Sequence, residues 1–114
     1  MDDTTVFERP TLLEQEIAVL RDSAHRASDF LKQLANEQRL LIMCKLMEGE
    51  CAVTYLAEHL GLSQSATSQH LAKLRESGLV TTRREAQTVH YRIASADTVR
   101  VLAALCEVFA PEHR

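Results

Sequence analysis

A run of short polar side chains with no acid among them is where chemistry gathers first in this 114-residue sequence. Gln64, Ser65, Ser68 and Gln69 stand close together, His70, Lys73 and Arg75 follow, and no Asp or Glu occurs between Ser63 and Arg75. Carboxamides can pair bidentately with an adenine edge, and hydroxyls near a helix start suit base edges or phosphates. Arg83 and Arg84 lead into a polar tip where Gln87 and Thr88 add further hydrogen-bonding groups. Such a tip can lie along a sugar-phosphate backbone or enter a minor groove. A solvated polar helix and strand is the bland alternative. The missing acids weigh against it, because an exposed helix face of this length ordinarily mixes signs.

The chain carries a net charge of −3, which would argue against an anionic partner if charge were spread evenly. It is not: Leu62–Arg92 holds five basic residues and two acidic ones, leaving the rest of the chain acidic. Phosphate contacts are local, so a basic face on an acidic body can still bind nucleic acid. Three cysteines, Cys44, Cys51 and Cys106, are too few and too odd for a secreted disulfide framework. In a reducing compartment they are free thiols, metal ligands or redox switches. The polar, acidic start MDDTTVFERP lacks a basic region before an apolar one, so a cytoplasmic protein is expected. No apolar run approaches the roughly 18 residues of a membrane span, and no membrane partner is expected.

Stepping along the chain, residues 1–10 read as a disordered tail and residues 11–110 as one domain. Leu13, Ile17, Leu20, Ala24, Ala27, Leu31 and Leu34 recur at helical spacing, with Thr11 and Glu14 fitting a capping box. A second helix follows candidate cap Asn36, carries Leu40, Leu41, Met43, Cys44 and Met47, and ends with Gly49 as a left-handed cap. A short helix over Val53–Leu60 stops at Gly61. Another, capped by Ser63, runs from Gln64 to about Ser77 with Thr67, His70, Leu71 and Leu74 as its packing stripe. Leu79–Arg84 and Thr88–Ile93 alternate as a two-stranded hairpin around a tip at Glu85-Ala86-Gln87, and a last helix spans about Ala96–Phe109, closed by Pro111. Two short helices hinged on a glycine form a helix-turn-helix, and the hairpin behind them forms a wing.

The run LSQSATSQHLAKLRESGLVTTRREAQTVHYRI, with LANEQRLLIMCKLMEGE upstream, resembles the ArsR/SmtB-type winged-helix repressors over residues 28–109. The resemblance implies a mainly α fold with a small β-hairpin, ordered α-α-α-α-β-β-α and dimerising through the first and last helices. It implies a homodimeric, sequence-specific repressor of a palindromic promoter operator in double-stranded DNA. The DNA-binding residues it implies are Gln64, Ser65, Ser68, Gln69, His70, Lys73, Arg83, Arg84, Gln87 and Thr88.

Many members of this family sense metals. The arsenic- and cadmium-type site resembles Cys-Val-Cys, but here the matching stretch is Glu50-Cys51-Ala52-Val53-Thr54, with one thiol. The zinc-type site needs a histidine two residues after the aspartate, and Asp97 has none; His113 lies past Pro111. Four tetrahedral ligands cannot be assembled, so no metal and no cofactor is expected. SQSATSQHL and EAQTVHY are closest to the BigR/HlyU-like sub-group of redox or reactive-sulfur responsive repressors. That likeness implies a thiol switch in which an oxidant or reactive sulfur is the inducer. Cys44 matches its first cysteine; its second position falls on Ala110, and Cys106 stands one helical turn earlier. A direct disulfide needs Cα atoms within about 7 Å, whereas a polysulfide bridge spans more. Cys51 reads as a more exposed loop thiol. Buried packing is the plain alternative for both helical cysteines, since free cysteine is a small hydrophobe.

Neither a Gly-rich phosphate loop, nor a nucleophile elbow, nor a paired-carboxylate cleft occurs, so an enzyme is not expected. Besides the thiol-switched repressor, the sequence allows a constitutive repressor, a metal-responsive one, or a winged-helix protein-interaction module with no DNA role.

Overall fold

Polar caps set where three of the helices begin. The computed structural model describes residues 13–110. It contains α1 (Glu14–Leu34), α2 (Glu37–Leu46), β1 (Cys51–Ala52), α3 (Val53–Leu60), α4 (Gln64–Glu76), β2 (Val80–Glu85), β3 (Thr88–Ile93) and α5 (Ala96–Phe109). Asn36 accepts the Arg39 N–H at 3.0 Å, Ser63 accepts Ala66 N–H at 3.0 Å, and Ser95 accepts Thr98 N–H at 3.2 Å. Each satisfies a donor that the first helical turn leaves unpaired. Ser63→Ala is expected to cost about 1 kcal/mol and to lower the melting midpoint by about 5 °C, read by thermal denaturation; an unchanged midpoint would refute the cap's role. Gly61 ends α3 at φ +68, where a side chain would be strained.

The expected architecture is present: a mainly helical fold with helix-turn-helix and wing. Three details differ. The second helix ends at Leu46 with Met47 as its right-handed cap, and Gly49, at φ +144, lies beyond it. The hairpin tip is only Ala86-Gln87, because Glu85 pairs with Thr88 inside the ladder. The third difference is a strand the periodicity could not show. The two-residue β1 pairs antiparallel with β3, Cys51 opposite Tyr91 and Ala52 opposite His90, giving a sheet ordered β1-β3-β2. The expected capping box at Thr11, the tail, Pro111 and His113 lie outside the described residues.

The core joins every later element: Ile42, Met43 and Leu46 from α2, Leu56 from α3, Leu71 and Leu74 from α4, Leu79 and Val80 at the wing's base, and Leu102 from α5. On α2, Ile42, Met43 and Leu46 are buried while Leu41 is exposed. Helix α1 behaves differently. Leu34 alone of its described residues is buried, and Leu20 and Leu31 are more than half exposed. Among the described residues, no helix is long and apolar enough to cross a membrane.

Candidate nucleic-acid interface

Helix α4 presents two distinct sides. Thr67, Leu71 and Leu74 are fully buried, and the Thr67 hydroxyl donates to the Ser63 carbonyl at 2.8 Å. Gln64, Ser65, Ser68, Gln69 and Lys73 are all exposed. The side chains at 64, 65, 68 and 69 therefore form one polar face at the N-terminal half of α4, where the helix dipole also favours an anion. Arg75 stands exposed at the C-terminal end.

His70 sits at the seam between the two sides. It was expected against the preceding helix of the helix-turn-helix; instead its Nε2 meets Gln38 Oε1 of α2 at 2.9 Å. Burial, then the neighbouring cations Arg39 and Lys73, hold its pKa below the ordinary imidazole value. A ring protonated on Nε2 would donate to Gln38 Oε1, and the contact braces α4 on α2. Gln38 was not legible as a partner, because 32 residues separate the pair.

The wing alternates. Cross-strand partners share a sheet face, and so do residues two apart along a strand. Arg83 lies opposite His90, which lies opposite Ala52, so Arg83, His90, Arg92 and Glu50 occupy one face. Arg84 lies opposite Val89 and shares the other face with Val80, Thr82, Tyr91 and Cys51. Val80 and Cys51 are buried, so this second face closes on the core. Beyond it, a cleft of about 480 Å³ opens between α4 and the wing, lined by Ala72, Lys73, Arg75, Glu76 and Tyr91. Tyr91 is a cleft residue that the sequence showed only as a strand aromatic. Gln87 at the tip and Thr88, the first residue of β3, are both exposed.

Cys44 and Cys106 are brought together despite the helical-turn offset. The Cys44 thiol is half-buried on α2, and burial, the Cys106 charge and a hydrogen bond with Cys106 push its pKa up to about 11. Both thiols are free. Cys51 corrects the expectation of an exposed loop thiol. It is buried in β1 and its Sγ lies 3.5 Å from the Gly49 carbonyl. Burial raises its pKa as well, so it is the less reactive kind of thiol. Among the described residues, no group of three His, Cys, Asp or Glu side chains is placed to hold a metal ion.

A polar helix projecting from a helix-turn-helix, with a basic cleft running to a β-wing, defines a winged helix-turn-helix DNA-binding regulator. The family profile described as "Bacterial regulatory protein, arsR family" matches residues 36–82. The nodulation protein NolR of Rhizobium meliloti is 46% identical over 91 residues, covering 80% of this chain and 75% of NolR. The transcriptional activator HlyU of Vibrio cholerae is 44% identical over 95 residues, covering 83% of this chain and 88% of HlyU. The solved structure of reduced HlyU superposes with a TM-score of 0.75 at 44% identity, over 80% of this chain and 96% of that one. A biofilm growth-associated repressor of Xylella fastidiosa is 34% identical over 113 residues, covering 99% of this chain and 93% of its own. The chain belongs to the ArsR family of DNA-binding transcriptional regulators, and these are not enzymes.

Proposed function

We propose that this protein is a transcriptional repressor that binds a palindromic promoter operator as a homodimer, and that the Cys44–Cys106 pair controls its release. The acid-free outer face of α4 carries the reading: Gln64, Ser65, Ser68 and Gln69 enter a major groove while Lys73 and the wing hold the flanking backbone. Related proteins named as an activator and as a repressor lie on either side of this reading.

The dimer reading is supported by apolar surface without a partner. Leu13, Ile17, Leu20 and Leu31 stand exposed on or just before α1, as do Val101, Val108 and Phe109 on α5, with Phe109 79% exposed. A second copy that covers these two helices removes that surface from water and pairs two recognition helices. Titration of a promoter duplex at rising salt tests the DNA half. A phosphate-contacting dimer loses affinity steeply with salt; absence of binding even at low salt would favour a protein-docking module instead.

For control, a thiolate at Cys44 attacks a sulfur of a polysulfide, breaking an S–S bond and expelling the shorter polysulfide anion; the Cys106 thiolate then attacks the sulfur chain left on Cys44, and hydrosulfide leaves as the bridge closes. The bridge shifts the α2–α5 packing and with it the spacing of the two recognition helices. With its pKa near 11, Cys44 is mostly protonated at neutral pH, which slows attack by weak electrophiles. That observation also favours a second reading, a constitutive repressor in which both thiols only pack. One measurement checks the thiol's acidity and a second separates the two readings. The Cys44 alkylation rate is expected to rise about tenfold per pH unit and to level off only near pH 11. Tetrasulfide treatment is expected to bridge Cys44 to Cys106 in the intact mass and to abolish DNA binding, and Cys44→Ser is expected to resist it. DNA binding that survives bridging would leave the constitutive repressor.

A further inference from the structure

Arg83 and Arg84 adjoin in sequence and part in space. The Arg83 Nε donates to Glu50 Oε1 at 2.7 Å, and its Nη1 donates to Glu85 Oε1 at 3.2 Å. Glu50 precedes β1, so this fork ties the wing across β3 to the α2–β1 loop, 33 residues away. On that face the cations Arg83 and Arg92 are balanced by the carboxylates Glu50 and Glu85. The opposite face is unbalanced. Arg84 emerges there, on the side of the sheet that also bears Tyr91 and the cleft, where Lys73 and Arg75 face the single carboxylate of Glu76. Arg84 forms no ion pair among the described residues.

We propose that Arg83 is a positioning residue rather than a DNA contact: Glu50 and Glu85 hold it as a strut that orients the wing, and Arg84 carries the wing's phosphate contact. The inference rests on the DNA-binding reading above. A guanidinium already held by two carboxylates has its charge offset and three of its nitrogens engaged, so it is a weaker phosphate ligand than Arg84, which has no carboxylate to compete with. The strut compensates for a weakness of the sheet: β1 is only two residues long, so its ladder alone anchors the wing poorly.

The test uses the full chain and a duplex of about 30 base pairs recovered from a random-sequence pool by the wild-type protein. Affinity is measured against salt concentration for each variant, after a thermal melt confirms that it folds. Arg84→Gln is expected to make the log–log slope shallower by about 0.9 per protomer, the loss of one phosphate contact. Arg83→Gln is expected to weaken binding while keeping the wild-type slope. Arg83→Glu is expected to weaken it more, and adding Glu50→Arg is expected to restore it, because the swapped pair rebuilds the strut with no cation at position 83. A shallower slope in Arg83→Gln, an intact slope in Arg84→Gln, or failure of the swap to rescue overturns the proposal while leaving the DNA reading in place. If the wild type itself recovers no duplex, the DNA reading falls and the proposal falls with it.

Discussion

Ser68→Glu is expected to leave the protein as stable as the wild type and to weaken DNA binding by roughly a hundredfold, about 3 kcal/mol. Ser68 is exposed in the middle of the outer face of α4, so no packing is lost there. Glutamate is at least as good a helix former as serine, which removes a folding explanation for any loss. What changes is charge. The face from Ser63 to Arg75 holds no acid, and a carboxylate at its centre would be pressed against phosphates and base acceptors in a partly desolvated groove. Electrophoretic mobility shift or fluorescence anisotropy with an operator duplex reads the affinity, and a melting curve reads the fold. Equal affinity for the variant and the wild type would mean that this face does not approach DNA.

Leu71→Ala carries the largest expected effect on stability, a loss of about 2–5 kcal/mol. Leu71 is fully buried on α4, in the cluster that also holds Ile42, Met43, Leu46 and Leu56. Truncation removes buried methyl groups and leaves a cavity whose lining cannot fully collapse. For a domain whose total stability is of order 5–15 kcal/mol, that is a large share. Leu71→Met keeps the volume and is expected to cost less than about 1.5 kcal/mol. Urea unfolding followed by circular dichroism compares the three proteins. A loss below about 1 kcal/mol in Leu71→Ala would show that α4 is not anchored through this side chain. The same substitution is expected to weaken DNA binding only through the lost fold, because Leu71 does not face outward.

Most of the architecture was legible in residue types and spacing. Asn36, Ser63 and Gly61 mark helix ends because their side chains, or the lack of one, satisfy local backbone needs that no distant contact has to supply. The stripe Thr67, Leu71 and Leu74 was legible because polar residues flank it on α4. Helix α2 shows the limit of that reasoning. Leu40 to Cys44 is a continuous apolar run, so periodicity alone does not say which side faces inward. Packing against α1, α3, α4 and β3 buries Ile42, Met43 and Leu46 and leaves Leu41 outside.

The three cysteines divide the same way. Their number and sparseness spoke from sequence alone against a secreted disulfide framework. Their surroundings did not: Cys51 was expected in a loop and is buried, because its two-residue strand has too little alternation to be seen until β3 pairs with it. Cys44 and Cys106 lie 62 positions apart on helices whose relative rotation is a tertiary property, and only the folded chain sets one thiol against the other.

The polar face of α4 was determined by the sequence itself, since Gln64, Ser65, Ser68 and Gln69 recur at i, i+1, i+4 and i+5 and need nothing but a helix to bring them to one side. The wing was not. Arg83 and Arg84 look equivalent as neighbours in a row, and the strand's two-residue period sends them to opposite faces. Which face meets the cleft and which meets Glu50 was decided by the register of β1 on β3. A one-residue slip in that pairing would carry Glu50 to the face of Arg84 and leave Arg83 without its partner, and local sequence carries no record of it.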